Sequence, residues 1–305
     1  FTLGTDTGGS VRIPAACCGV VGLKPTYGII SFHGVYPLAW SIDHVGIMAR
    51  RVRDVAYVLE AIVGNENTEL PSVPAYARDL VGDVKQLRIG VLRSYFFDVL
   101  DSEVRAAVEE AVGNFVGLGA RVQDVFLPNL DEVAAAARIV LLAEGASCLE
   151  KFHRTKAKNL GTDIQARLTL GSLIPAISYI KAQRLRRYMY DKFLNIFQDV
   201  DVVVTPCLPI TAPEISATDV VVDGVSLPVA EALTRLTRIY NILGLPAITI
   251  PCGFSRGGLP IGLQIAGRPF NEGVVLRVAE AYERSARWHE KRPHLPSPNM
   301  RIAGE

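Results

Sequence analysis

Residues 4–15 read Gly-Thr-Asp-Thr-Gly-Gly-Ser-Val-Arg-Ile-Pro-Ala, and this is the most distinctive stretch of the chain. Gly8 and Gly9 let the backbone adopt conformations that other residues avoid, so successive amides can point into one concavity that binds negative charge. Ser10 follows at once, and a hydroxyl beside such a concavity suits acyl transfer. We therefore expect Ser10 to be a nucleophile. We expect the oxyanion to be stabilised by the backbone amides of Thr7, Gly8, Gly9 and Ser10.

Two charged residues flank the glycine pair at short range. Asp6 and Arg12 are expected to hold the loop in shape through charge-assisted hydrogen bonds. A plain tight turn is the alternative, and the letters Gly-Gly-Ser alone would favour it. The segment lacks the Gly-Lys-Ser/Thr ending of a Walker loop and does not fit the GxGxxG dinucleotide fingerprint. It also lacks the GxSxG element of α/β-hydrolases.

The same segment resembles the amidase-signature family, and the resemblance extends over nearly the whole chain. The further similar elements are Cys18-Gly19, Gly-Leu-Lys-Pro-Thr at 22–26, Asp-Val-Val-Val-Thr-Pro at 201–206, Gly-Leu-Pro-Ala-Ile-Thr-Ile-Pro at 244–251 and Leu-Pro-Ile-Gly-Leu-Gln at 259–264. The resemblance implies an amidase that needs no cofactor. Such an enzyme would cleave the carboxamide bonds of small substrates through a Ser10 acyl-enzyme.

In that family the nucleophile acts with a second serine and a buried lysine, both upstream of it. No Gly-Gly-Ser-Ser-Gly-Gly-like stretch occurs in the 305 residues, and Lys24 matches the structural Gly-Leu-Lys-Pro element instead. We therefore interpret residues 1–305 as the C-terminal portion of a single amidase-signature domain, and we expect this chain alone to be inactive. A non-catalytic fragment or pseudoenzyme is the alternative from another functional class.

The rival within the family is the glutamine-hydrolysing subunit of glutamyl-tRNA amidotransferases. That subunit usually carries an acidic residue ten positions before the glycine of Gly-Leu-Pro, where this chain has Thr234. The difference argues against glutamine as the substrate. Arg238 and Cys207 are candidate substrate-pocket residues, and Arg238 could bind a substrate carboxylate through two hydrogen bonds. Structural pairing of Arg238 and buried packing of Cys207 are the alternatives.

Two other groups of reactive side chains are expected to be structural. Asp43 and His44 are sequence neighbours, so this carboxylate is poorly placed to orient the ring in a Ser-His-Asp triad. Cys17 and Cys18 closely follow the nucleophile, but no histidine lies at a suggestive spacing. Packed thiols are therefore expected rather than a cysteine hydrolase.

The composition is typical of a globular protein, with 49% hydrophobic and 21% charged residues. The net charge of +1 gives no reason to expect nucleic acid or an anionic membrane as a partner. The five cysteines form no Cys-x-x-Cys pair and the histidines no His-Glu-x-x-His pattern, so no metal is expected. We expect a cytoplasmic enzyme whose partner is a small-molecule amide, with a homodimer as a candidate assembly.

Hydrophobic periodicity predicts an α/β fold in which helices cover both faces of a mixed sheet. A strand at 87–92, a helix from Asp101 or Ser102 to about Gly117 and a strand at 121–127 predict a βαβ unit, and hence a parallel strand pair. The other predicted elements are helices near 52–63, 131–157, 175–199, 228–243 and 271–288, the last capped by Asn271, and strands at 201–205, 247–251 and 261–266.

Overall fold

The computed structural model describes residues 1–63, 74–78, 80 and 82–292. The strands in these residues are β1 (Thr2–Thr5), β2 (Val21–Lys24), β3 (Val45–Ala49), β4 (Arg88–Leu92), β5 (Arg121–Val125), β6 (Val202–Pro206), β7 (Asp219–Val222), β8 (Val225–Pro228), β9 (Ala247–Phe254) and β10 (Pro260–Gly267). The α-helices are α1 (Arg12–Cys18), α2 (Val52–Ile62), α3 (Ser102–Gly117), α4 (Leu130–Cys148), α5 (Glu150–Lys156), α6 (Thr162–Ser172), α7 (Ala176–Asp199), α8 (Val229–Thr234), α9 (Arg238–Ile242) and α10 (Glu272–Ala286).

Eight strands form one mixed sheet in the order β1-β3-β2-β9-β10-β6-β4-β5. Strand β4 pairs in parallel with both β5 and β6, whereas the other neighbours in this sheet pair antiparallel. Strands β7 and β8 form a separate antiparallel hairpin. The predicted mixed sheet is therefore confirmed.

Helices pack on both faces of this sheet. Gly262 and Gly267 lie five positions apart in β10, so they face opposite sides. A Cβ atom on Gly262 would lie 2.7 Å from the Cβ of Ala16 in α1, and one on Gly267 would lie 2.5 Å from a methyl group of Val275 in α10. Helices α1 and α10 thus cover opposite faces, as the sequence predicted.

The βαβ unit forms as predicted. The Asp101 carboxylate accepts hydrogen bonds from the amides of Glu103 at 2.8 Å and Val104 at 3.3 Å, which caps α3. The chain then returns to β5, which pairs in parallel with β4. Because each of these signals is local in sequence, periodicity and capping were enough to predict the unit.

The single helix predicted at 228–243 is wrong. The chain forms α8 and α9 instead, with a break between Thr234 and Arg238. Thr237 lies in the break, where its carbonyl oxygen accepts from Arg12 at 2.9 Å and its hydroxyl donates to the Gly8 carbonyl at 2.7 Å. Contacts with the distant glycine loop therefore replace a continuous helix.

Four further predictions need correction. The pattern at 131–157 is divided between α4 and α5, and the presumed connection before the next long helix contains α6. The last helix ends at Ala286, before the predicted residue 288. Asn271 occupies its N-cap position, but the Asn271 side chain makes no capping hydrogen bond.

Candidate active site

The glycine loop between β1 and α1 is built around the buried carboxylate of Asp6. This carboxylate accepts from the amides of Gly9 at 2.8 Å and Val11 at 3.2 Å. It also accepts from Arg12 through Nε at 3.1 Å and Nη2 at 3.0 Å, and both side chains are fully buried. Burial alone would raise the pKa of Asp6, but the charge and hydrogen bonds of Arg12 outweigh it and hold this pKa well below its usual range.

Arg12 uses all five of its N–H donors, which ties the loop to two distant segments. Besides Asp6, the guanidinium donates to the Thr237 carbonyl at 2.9 Å, the Gln264 side-chain oxygen at 2.7 Å and the Asn241 side-chain oxygen at 2.6 Å. Asn241 in turn donates to the carbonyl and the carboxylate of Asp6, at 2.8 Å each. Asp6 and Arg12 thus hydrogen-bond to each other and Asp6 to the loop amides, within a network that includes residues not predicted from the sequence.

Ser10 is exposed and lies two residues before α1 begins at Arg12. In the described part of the chain, its hydroxyl has no hydrogen-bond partner. The four amides predicted to form an oxyanion hole divide into two groups. The Gly9 amide donates to Asp6, whereas the amides of Thr7, Gly8 and Ser10 donate to no acceptor among the described residues. Three backbone donors of the loop that carries Ser10 therefore have no acceptor in the described part of the chain.

Thr7 is fixed by a residue that we expected only to be structural. Its hydroxyl donates to Asp43 at 2.6 Å, and the other oxygen of Asp43 accepts from the amides of Leu38 and Ala39. His44 directs Nδ1 at the Ile42 carbonyl, 2.7 Å away. Asp43 therefore orients the glycine loop and not the neighbouring imidazole, which agrees with a structural role for both residues.

Lys24 is buried beneath the same region. Its ammonium donates to the carbonyls of Leu245 at 2.6 Å and Pro25 at 3.1 Å. Burial lowers the pKa of Lys24 well below its usual value, and the nearby Arg12 charge lowers it further. These contacts support the interpretation of Lys24 as part of a structural element.

A cavity of about 350 Å³, here named the proximal cavity, opens beside the glycine loop. Thr7 and Gly8 line one side, and residues of α4, α6 and α8 line the other. Arg238 also lines this cavity, but its guanidinium donates to Glu231 at 2.9 Å and to the Thr234 carbonyl at 3.1 Å. Arg238 is therefore a cavity residue whose charge is already paired.

Cys207 is fully buried under α1 and is not a lining residue of the proximal cavity. Its sulfur accepts from the Thr249 hydroxyl at 3.0 Å and contacts the Arg12 carbonyl at 3.7 Å. Burial raises the pKa of Cys207 to about 12 and that of Cys17 to about 11, so both are thiols at neutral pH. These positions favour packing over substrate contact for Cys207.

A metal centre and a membrane span are two further features that a chain of this length could carry. The described residues contain no group of three or more His, Cys, Asp or Glu side chains arranged to hold a metal ion. No helix in this part of the chain is both long enough and apolar enough to cross a membrane.

Gly9→Ala should lower the free energy of unfolding by about 2 kcal/mol or more. Gly9 has φ +127°, and a Cβ atom there would overlap the Thr237 side chain and lie 2.7 Å from Ile13. Urea denaturation measures the loss. Gly8→Ala is the matched control, because a Cβ on Gly8 meets nothing within 4 Å and its expected change is within about 0.5 kcal/mol. Equal midpoints for the two variants would contradict this role of Gly9 in the loop.

The fold and this site place the chain among α/β proteins that hold an exposed serine on a rigid, glycine-rich loop. The chain belongs to the amidase family, whose model matches residues 1–276. The resemblance found in the sequence is therefore confirmed.

Relatives with two different names are about equally similar to this chain. It is 38% identical to a glutamyl-tRNA(Gln) amidotransferase subunit from Geotalea daltonii and 38% identical to an amidase from Pseudomonas putida, with 96% of this chain covered in each case. A solved structure of the corresponding glutamyl-tRNA(Gln) amidotransferase subunit from Thermotoga maritima is 32% identical over 93% of this chain, with a TM-score of 0.76. The chain spans 65%, 64% and 62% of the lengths of these three proteins, just under two thirds of each.

Proposed function

We propose that this chain carries the nucleophile of an amide hydrolase. Ser10 Oγ attacks the amide carbonyl carbon, and its proton passes to a base. The C–N bond then breaks, and the amine leaves with a proton. Water attacks the resulting serine ester, which releases the carboxylic acid and restores the hydroxyl. Membership of the amidase family supports this reaction class.

One observation carries the proposal: an exposed serine shares a short loop with three amides that have no acceptor among the described residues, and the buried Asp6–Arg12 pair supports that loop. We assign the oxyanion hole to the amides of Thr7, Gly8 and Ser10, and the shape of the loop to Gly9. Because such donors are already oriented, they need no reorganisation as charge develops on the carbonyl oxygen. Each is worth about 2.7–4 kcal/mol of barrier height.

No side chain of the described residues accepts the Ser10 hydroxyl proton, and Lys24 directs its ammonium at two carbonyls. The upstream lysine and second serine implied by the family therefore stay predictions. The single domain at 1–305, the cytoplasmic location and the homodimer also stay predictions.

A glutaminase of the amidotransferase type is the second candidate, because relatives of that name are as similar as the named amidase. The cavity argues against it. Thr234 donates its hydroxyl to the Ala230 carbonyl at 2.7 Å and supplies no charge, while Glu231 is neutralised by Arg238. The ammonium group of glutamine would find no free carboxylate among the residues that line the proximal cavity.

Ammonia release from simple carboxamides and from glutamine, assayed side by side, tests these alternatives. The proposal expects turnover of simple carboxamides and weak or no turnover of glutamine. Preferred glutamine hydrolysis would support the second candidate. Because this chain alone is expected to be inactive, the assay is run on protein that also carries the predicted upstream lysine and second serine. Release from neither substrate by that protein, when folded, would support the non-catalytic alternative and contradict the hydrolase.

The double variant Glu231→Gln/Arg238→Ala should raise KM for acidic and for neutral amides by a similar factor, because it removes a paired guanidinium without leaving the Glu231 carboxylate unpaired. Glu231→Gln is the informative partner variant. It removes the pairing charge and frees the guanidinium, so KM should fall for acidic amides and not for neutral ones. Steady-state kinetics on matched amides measures both. A loss confined to acidic amides in the double variant would show instead that Arg238 binds the substrate carboxylate directly.

A further inference from the structure

A second cavity of about 460 Å³, here named the distal cavity, adjoins the proximal cavity. The two cavities share Arg138, Glu231 and Arg238 among their lining residues. Thr7 and Gly8 line only the proximal cavity, whereas Tyr95 and Arg235 line only the distal one. The two cavities therefore adjoin at the Glu231–Arg238 pair, with the glycine loop on one side and Tyr95 and Arg235 on the other.

Tyr95 and Arg235 pack against each other in the wall of the distal cavity. The guanidinium carbon of Arg235 lies 4.2 Å from the centre of the Tyr95 ring, and the Tyr95 hydroxyl donates to the Arg235 carbonyl at 3.2 Å. Stacking on an aromatic face fixes the plane of a guanidinium and leaves its N–H edge available for a planar acceptor.

The backbone of Tyr95 supports a special role for this residue. Tyr95 has φ +68°, in the left-handed region that side chains larger than glycine rarely adopt, and its amide donates to Asp98 at 3.0 Å. Conformations of this kind persist where the surrounding structure fixes them, and they cluster at ligand sites. Here the conformation presents the ring on which Arg235 stacks.

The Arg235 side chain donates no hydrogen bond to an acceptor among the described residues. Its Nε atom is buried without a hydrogen-bond partner, and no carboxylate pairs with Arg235 among the described residues. Arg238, three positions further along the chain, pairs with Glu231. Nε itself is inaccessible in this arrangement, so a bound carboxylate would pair with the terminal N–H groups of Arg235 and supply the missing counter-charge.

The charges around the distal cavity favour a ligand with a single negative charge. Arg138, Arg235 and Arg238 face Asp131 and Glu231 there. The Arg238–Glu231 pair cancels, which leaves two positive groups and the Asp131 carboxylate, a balance of +1. This balance suits a carboxylate better than a doubly charged phosphate.

We propose that the distal cavity is a subsite for a substrate carboxylate, bound by Arg235 on the Tyr95 platform with Arg138 beside it. The inference rests on the proposed amide hydrolysis for the place of the scissile bond, and it defines the substrate class. The substrate is a monoamide of a dicarboxylic acid, with its amide at the glycine loop and its free carboxylate at Arg235.

Calorimetric titration of protein carrying Ser10→Ala tests the subsite without any turnover. The probes are the monoamides of glutaric, adipic and suberic acids, each paired with the uncharged alkanamide of equal length. At least one monoamide should bind about tenfold or more tightly than its uncharged counterpart. Adding Arg235→Met should abolish that difference, Arg235→Lys should restore part of it, and Arg121→Met, an exposed control on β5, should leave it intact.

Equal binding of charged and uncharged amides, no binding of any monoamide, or an unchanged preference after Arg235→Met and Arg235→Lys would each overturn the subsite. The outcomes also separate the two proposals. A carboxylate preference in protein that carries the predicted upstream lysine and second serine, yet hydrolyses no amide, would leave the subsite standing and remove the hydrolase. Hydrolysis without any carboxylate preference would leave the hydrolase standing and remove the subsite.

Discussion

Replacing Arg12 with methionine should lower the free energy of unfolding by about 3–5 kcal/mol, the usual loss when one partner of a buried ion pair is removed. The substitution keeps much of the side-chain volume but leaves the fully buried Asp6 carboxylate without its counter-charge. It also removes the donors to Thr237, Gln264 and Asn241. Urea denaturation followed by circular dichroism measures the change.

Arg187→Met is the matched control, because Arg187 is exposed and pairs with Asp191 one helical turn away. Its expected cost is within about 0.5 kcal/mol. The double variant Asp6→Asn/Arg12→Met should be less destabilised than the sum of the two single variants, since no lone charge remains buried. Strict additivity, or similar losses for Arg12→Met and Arg187→Met, would contradict the role assigned to the Asp6–Arg12 pair.

Ser10→Ala should reduce amide hydrolysis on the order of 10⁴-fold or more and change the free energy of unfolding by no more than about 0.5 kcal/mol. The two effects separate because Ser10 is exposed and its hydroxyl has no partner in the described part of the chain. Initial rates of ammonia release and a urea denaturation curve of the same preparation measure both quantities.

Cys18→Ala is the control for this substitution. Cys18 is the exposed thiol nearest to the loop in sequence, and the proposal gives it no chemical role, so rates should stay within about twofold. If hydrolysis survived Ser10→Ala and vanished with Cys18→Ala, a cysteine nucleophile would replace the serine. A large loss of stability in Ser10→Ala would show that the lost activity reflects unfolding.

The sequence predicted most reliably what is encoded by neighbouring residues. The parallel pair β4–β5 followed from two short apolar runs around a capped helix, and the structure places Asp101 at that cap. Periodicity failed between 157 and 175, where α6 lies in a stretch that was interpreted as a connection. It failed again at Thr237, where hydrogen bonds to Arg12 and Gly8 override a helical pattern.

The candidate site likewise has a part that is local in sequence, which could be predicted, and a part that is distant in sequence, which could not. Asp6, Ser10 and Arg12 lie in one short motif, so their association could be predicted from the residue types alone. The partners of Arg12 in the last third of the chain could not, because Asn241 is 229 positions away and Gln264 is 252 positions away. No spacing rule connects residues that only the sheet order brings together.

Labelling of Ser10 by a fluorophosphonate tests the central claim most directly, in a preparation shown to hydrolyse amides. Intact mass spectrometry counts the adducts, and peptide mapping locates them. We predict a single adduct on Ser10, loss of hydrolysis in proportion to labelling, and no adduct in the Ser10→Ala variant. Active protein that takes up no label, or an adduct that persists in the Ser10→Ala variant, would contradict Ser10 as the nucleophile.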